Sequence, residues 1–197
     1  DVGTRRVPMV VRANRAADIE ALLRLRKDLG LKIIISGGAE AWMLAEELAA
    51  ANVGVILDPY VYGPGGFDQV YGRADNAKIL HEAGVVIALT TGSTHNIRNL
   101  RQVAGNAVRA GLEHSAAINA MTLNVASMYG QKNYGNIVVG GVANLVVWSG
   151  EPLEFSSQVQ QLFIDGREVS LESRQTKLRD RYRALPAARE AGLSISE

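Results

Sequence analysis

Leu31-Lys-Ile-Ile-Ile35, followed directly by Ser36-Gly-Gly38 and then by a helix-forming stretch from Ala39 to Ala50, decides the fold class. The run is β-branched and nearly continuous in apolar residues. That pattern belongs to a strand buried on both faces, not to one with a wet side. The glycines break the strand, and the alanine- and glutamate-rich segment after them predicts a helix.

The same unit repeats on either side. Upstream, Val7-Pro-Met-Val-Val11 reads as a strand with Pro8 near its start, where a missing donor is tolerated. The spacing then predicts a helix over Ala16–Leu29, with Ile19, Leu22, Leu23 and Leu29 on one face and Gly30 as its C-terminal stop. Downstream, Val53-Gly-Val-Ile-Leu57 is a third strand ending in Asp58-Pro59. A long Gly/Tyr/Pro loop from Tyr60 to Arg73, read as a lid or crossover, leads to a short helix over Asn76–Glu82, stopped by Gly84. Val85-Val-Ile-Ala-Leu89 is a fourth strand, running into Thr90-Thr-Gly-Ser-Thr94, with helices expected over Asn96–Ala110 and Ser115–Tyr129. Strand–helix alternation at this spacing means βαβ units and a parallel sheet, either doubly wound or part of a (β/α)8 barrel.

From Gly135 the texture changes. Asn136–Val139, Ala143–Trp148 and Val159–Ile164 read as short strands, and Asp165-Gly166 is a hairpin turn signal before Arg167-Glu-Val169. The expected domains are residues 1–134, residues 135–169 as a small antiparallel β appendage, and a basic helical tail over 170–197 interrupted by Pro186 and Gly192.

Composition narrows the function. The 197 residues contain no cysteine, three histidines (His81, His95 and His114), and 21 basic against 20 acidic side chains. Without cysteine the chain supplies no disulfide, iron–sulfur ligand or thiolate zinc ligand. The near-neutral charge argues against nucleic acid as the main partner. No apolar run reaches the roughly 18–20 residues of a membrane-spanning helix.

In parallel α/β folds ligands bind at the carboxyl ends of the strands. That rule selects Arg12, Asn14, Ser36, Gly37, Gly38, Asp58, Tyr60, Thr91, Gly92, Ser93, Thr94 and His95. Asn14, Ser93 and Thr94 also suit helix N-caps. Bare amides at Ser36-Gly-Gly38 suit an anion at a helix start, the reading a phosphate-binding doubly wound protein would require. His95, with Ser93 beside it, and Asp58 are the candidate catalytic groups, since each is a residue type that moves protons or supplies a nucleophile. His81 and His114 read as structural.

Three ordered motifs carry a resemblance to a known family. Ala120-Met-Thr-Leu-Asn-Val-Ala126 followed by Gly130 resembles the A-x-T-x-N-P-A…G helix of the amidohydrolase superfamily, the metal-dependent (β/α)8 hydrolases that include imidazolonepropionase and dihydroorotase-like enzymes. Gly135-Asn-Ile-Val-Val-Gly-Gly-Val-Ala-Asn-Leu-Val-Val-Trp148 resembles its G-x-I-x-x-G-x-x-A-D-L-V-V-W stretch, and Phe163-Ile-Asp-Gly-Arg-Glu-Val169 its F-V-D-G-x-x-V strand pair. Val125 replaces the family's Pro and Asn144 its Asp. The resemblance implies the C-terminal half of the barrel, strands five to eight, plus a small β-sandwich appendage.

It also implies where metal ligands would stand. At strand five the family's two-histidine segment falls on Arg12 and Asn14. At strand six its H-G-T-E falls on Gly37-Gly-Ala-Glu40, and at strand eight its T-D falls on Thr91-Gly92. Arginine cannot coordinate a cation and glycine offers no side chain. The expectation is a protein of C–N hydrolase lineage with no metal cofactor held by this chain. It would be a non-catalytic binding protein or partner subunit, with a small-molecule pocket at Arg12, Asn14, Gly37, Gly38, Asp58, Thr91, Gly92, Ser93 and His95. The alternative is an active amidohydrolase with metal or catalytic groups supplied from an N-terminal half. Either way the half-barrel has two open edges, so a second half, on the same or another chain, or self-association into an oligomer is expected to complete it.

Overall fold

The computed structural model describes residues 7–59 and 65–190, with side chains as far as residue 183. Four strands, β1 (Met9–Ala13), β2 (Ile33–Gly37), β3 (Gly54–Leu57) and β4 (Ile87–Leu89), form a parallel sheet in the order β1-β2-β3-β4. Consecutive neighbours joined by helical crossovers are the order of a barrel segment. A doubly wound sheet reverses its strand order at a switch point, which this sheet does not do. Between the strands run α1 (Ala16–Leu29), α2 (Ala45–Ala50) and α3 (Asn76–Glu82). After β4 come α4 (Leu100–Arg109), α5 (His114–Met121) and α6 (Leu123–Met128).

Side-chain alternation explains what the sheet does with its two faces. Ala13, Ile33, Ile35, Val53, Val55, Leu57, Val85, Ile87 and Leu89 join one core with Ile19, Leu48, Leu80, Ala104 and Ala117 of the helices. The register Met9↔Ile33, Ile35↔Val55 and Val55↔Ile87 puts these odd-numbered positions on the helix-covered side. Val10, Arg12, Ser36, Ile56, Asp58, Thr90 and Gly92 therefore face the other side, which would be the lumen of a closed barrel. Near the amino ends of the strands α6 covers part of that side. The Asn124 Nδ2 donates to the Ile87 carbonyl at 2.9 Å, and a Cβ on Gly54 would lie 2.8 Å from the Met128 Cε.

Several boundaries differ from those expected. β1 starts two residues later, because Pro8 has no N–H and the first bond to β2 is from the Met9 N–H to the Lys32 carbonyl at 2.8 Å. The shift extends β1 to Ala13 and places Arg12 on the strand. On α1 the buried face is centred on Ile19, while Leu29, beside the Gly30 stop, is 56% exposed. The helix expected from Ala39 opens as a 3-10 turn over Ala41–Leu44, and that expected from Asn96 as one over Thr94–Asn99. The expected Ser115–Tyr129 helix breaks at Thr122 (φ −131°, ψ −91°), whose hydroxyl donates to the Ile118 carbonyl.

Residues 136–139 do not form the expected strand. No neighbouring strand pairs with them among the described residues, and local bonds close the segment instead: Gly141 N–H to Val138 O and Val142 N–H to Asn133 O. Ile137 and Val139 are almost fully exposed.

The described chain divides into two compact units. The first runs to Val142 and includes Trp148–Gln158; the second holds Ala143–Val147 and the chain from Val159 on. In the first, residues 148–158 are strapped by Arg101, which donates to the Ser157 carbonyl at 2.7 Å and stacks 5.0 Å from the Trp148 ring. His114 Nε2 meets Glu151 Oε1 at 2.8 Å. That contact, with the Leu153 N–H, holds the Glu151 carboxyl below its usual range. A depressed carboxylate adds stability above its unfolded-state pKa, and this is lost as pH falls through the folded value. In His114→Ala the Glu151 carboxyl is expected to titrate closer to an ordinary glutamate, read by carbon-13 NMR. An unchanged titration would contradict the contact.

β5 (Leu145–Trp148), β6 (Val159–Ile164) and β7 (Arg167–Glu168) make a three-stranded sheet, all of it but Trp148 in the second unit. Asp165 (φ 49°) and Gly166 (φ 75°) both take the left-handed conformation that a two-residue hairpin turn requires. The Asn144 side chain accepts the Asp165 N–H at 2.9 Å. α7 (Arg174–Glu190) runs through Pro186 without the expected interruption there; Gly192 lies outside the described residues.

Candidate functional site

The carboxyl ends of β1 to β4 surround a cavity of about 430 Å³ within the first unit. Of the residues chosen by sequence, Arg12, Asn14, Ser36, Gly37, Asp58 and Gly92 line it. Gly38, Thr91, Ser93 and His95 are not on its wall. Thr91 instead donates its hydroxyl to the Ser93 carbonyl at 2.9 Å. Ser93 holds the N-cap position of the 3-10 turn without a side-chain bond, and His95 is exposed on that turn. The structure therefore does not bring His95 and Ser93 to the cavity that Asp58 lines. Tyr60 lies outside the described residues, as does the Tyr60–Pro64 part of the expected lid.

Asn14 does not cap α1. Its Nδ2 donates to Asp68 Oδ2 at 2.5 Å, tying the loop after β3 to the end of β1. The orphan N–H of Ala16 at the start of α1 is taken instead by Glu40 Oε2 at 3.0 Å, and Glu40 Oε1 also accepts the Tyr71 N–H. Glu40 is buried, so its charge is spent on backbone donors and the helix start. Around it Trp42 Nε1 donates to the Tyr71 carbonyl at 2.9 Å. The Arg73 guanidinium lies 4.8 Å from the Trp42 ring and bonds Asp75 twice at 2.7 Å. Those bonds from Arg73 hold the Asp75 carboxyl below its usual range.

The glycine segment is not an open anion cradle. The Gly38 N–H is committed to the Ala13 carbonyl at 2.7 Å and the Glu40 N–H to the Asn14 carbonyl at 2.9 Å. The alternative of an anion site at Ser36–Gly38 therefore loses the Gly38 amide as a donor.

Two glycines have their side-chain space filled by neighbours. Gly37 sits at φ +103°, and a Cβ there would collide with the Asn14 Oδ1. Gly92 sits at φ +66°, and a Cβ there would lie 2.9 Å from the Asp58 Oδ2. The Asp58 carboxylate, one residue past β3, thus lies against the space a side chain of residue 92 would need. Arg12 is exposed on the cavity wall and makes no hydrogen bond or ion pair among the described residues.

Asn76 opens α3 and lies off the strand ends, so the strand-end rule passes over it. It is only 7% exposed and also lines the cavity. Its Nδ2 donates to the Gly38 carbonyl at 2.8 Å, and its Oδ1 is buried without a partner.

The sequence profile of the amidohydrolase family matches residues 70–169. Amidohydrolase tasK of Hapsidospora irregularis is 35% identical over 119 residues, covering 51% of this chain and 11% of that protein. A crystal structure of an amidohydrolase from Thermotoga maritima MSB8 superposes with a TM-score of 0.80 at 29% identity, over 86% of this chain and 45% of that one. A prolidase solved with N-methylphosphonate-L-proline shares the fold at a TM-score of 0.64 and 19% identity, again over 45% of its length. The chain thus spans less than half of the solved relatives it matches. The four-stranded parallel sheet, the family match from residue 70 and the superposition lead to one assignment: the chain belongs to the amidohydrolase family.

Proposed function

We propose that this chain is half of an amidohydrolase-type barrel that has exchanged its metal site for a metal-free pocket, and that it serves as a non-catalytic binding protein or partner subunit. One observation carries the reading. The three positions that the resemblance assigns to metal ligands hold Arg12, Gly37 and Gly92, and the space beside the two glycines is taken by Asn14 and Asp58. A divalent cation needs neutral or anionic donors converging on it. At these positions the chain offers the Arg12 guanidinium, the Asn14 carboxamide and the Asp58 carboxylate, a set that does not suit a divalent cation. The described residues also contain no group of three or more His, Cys, Asp or Glu placed to hold a metal ion.

The sheet supports a completing partner. Among the described residues β1 and β4 are the outer strands of the sheet, each with one side that no strand pairs. Open edges of this kind favour pairing with further strands, and the Thermotoga relative has more than twice the matched length. We propose that a second half-barrel closes the lumen, and that β5 to β7 belong to a small β-sandwich completed in the same way. A stable, folded monomer of these 197 residues in sedimentation would contradict this.

The function is tested by assaying the full-length gene product for C–N bond hydrolysis on acylated amino acids and cyclic amides, with and without a chelator. The expected result is no turnover in either condition. Chelator-sensitive turnover lost on Asp58→Asn would overturn the reading in favour of an active enzyme.

A further inference from the structure

The loop after β3 runs back across the strand ends. Its Tyr71 is bonded to Glu40 and Trp42, which follow β2, and its Asp68 to Asn14, which follows β1. In a sheet ordered β1-β2-β3-β4 that path passes over the carboxyl end of β2. Gln69 and Arg73 of this strap line the same cavity as Ser36 and Gly37 of β2.

The two parts of the strap are held unequally. At residues 71–75 the Tyr71 N–H meets the buried Glu40 carboxylate at 3.4 Å, and the Tyr71 carbonyl accepts the Trp42 Nε1–H at 2.9 Å. Arg73 stacks 4.8 Å from the Trp42 ring and bonds Asp75, the residue before α3, twice at 2.7 Å. Moving that part would break several of these contacts at once. Residues 65–70 have less to hold them. Among the described residues, the bond from Asn14 Nδ2 to Asp68 is the one hydrogen bond that ties them to another element; the bond from the Gln69 N–H to the Gly66 carbonyl stays within the segment. Phe67 is 98% exposed and Val70 half-exposed, so apolar burial adds little. Segments with few buried contacts are the ones that open locally.

We propose that this strap is a gate. Residues 71–75 are its fixed hinge, residues 65–70 its moving tip, and the Asn14–Asp68 bond is the clasp whose release opens the strand-end cavity to a small-molecule ligand. One bond from a carboxamide to an exposed carboxylate gains little over the water that replaces it, so closed and open tips lie close in energy, as a gate requires. The gate goes beyond the metal-free reading and does not depend on it. It does rest on the completed barrel proposed above, since an open half-barrel admits a ligand from the lumen side as well.

The test compares the full-length gene product with its Asp68→Ala variant, altered at an exposed side chain outside the core. In the variant, hydrogen–deuterium exchange read by mass spectrometry is expected to be roughly tenfold faster over residues 66–70 and unchanged over 71–76. Access is read with Ser36→Cys, on the cavity wall, in both backgrounds. Reaction of that thiol with a maleimide, located by peptide mapping, is expected to be slow beside Asp68 and about tenfold faster beside Asp68→Ala. Unchanged exchange over 66–70, or equal acceleration over 71–76, would overturn the clasp and hinge. An unchanged labelling rate would overturn the gate, and its size separates the two reasons. A thiol slow in both backgrounds means a closed barrel with another way in, whereas one that reacts like a free thiol in both defeats the completed barrel itself.

Discussion

Replacing Gly37 with His, the residue that the family resemblance puts there, is expected to lower stability by about 2–4 kcal/mol and to create no metal affinity. The backbone at residue 37 has a positive φ of 103°, and a Cβ would collide with the Asn14 Oδ1. The conformational part of the cost is on the order of 1–3 kcal/mol for a non-glycine residue. Displacing Asn14 also breaks its bond to Asp68, which anchors the loop after β3. The variant Asn14→Ala alone should cost about 1–2 kcal/mol, and adding Gly37→His to it should cost less than in the parent, because the obstructing oxygen is gone. Urea unfolding of the four members of the cycle measures the coupling. Strict additivity would mean that the two side chains do not compete for one space.

Ile35→Ala is expected to cost about 2–5 kcal/mol, a large share of the stability of a domain this size. Ile35 is fully buried at the centre of the sheet, among the side chains of the strands and helices that form the core. Removing most of a fully buried side chain loses its transfer free energy and leaves a cavity that a parallel sheet, fixed by its ladder, cannot close. Leu29→Ala is the control. Its side chain is 56% exposed at the end of α1, so the change should stay within about 0.5 kcal/mol. Denaturant melts of the two variants separate the buried face from the exposed one. Equal losses would mean that α1 presents the face expected from its apolar spacing.

That contrast shows which features the sequence carries and which it does not. Continuous β-branched runs mark strands because burial on both faces leaves no polar alternation, so Ile33–Ile35 is legible without a structure. The hairpin at Asp165-Gly166 is legible because its φ values admit few other residues. Asn136–Val139 has strand composition but forms no ladder, because pairing depends on a neighbour that residue composition does not reveal. The candidate site divides in the same way. The strand-end rule finds Arg12, Asn14, Gly37, Asp58 and Gly92, because topology alone puts strand ends at the mouth. It also selects Thr91, Ser93 and His95, which the 3-10 turn carries off the cavity wall, and it passes over Asn76, brought in from a helix start across a long loop. The filling of the space beside Gly37 by Asn14, and beside Gly92 by Asp58, is a three-dimensional fact between separate strands. No local motif encodes it.

The most direct test of the central claim is the metal stoichiometry of the full-length gene product, purified without chelator and measured by inductively coupled plasma mass spectrometry beside its Asp58→Asn and Arg12→Gln variants. Zinc, iron and manganese are each expected to be substoichiometric, and unchanged in either variant. Stoichiometric metal that falls when Asp58 is altered would contradict the claim.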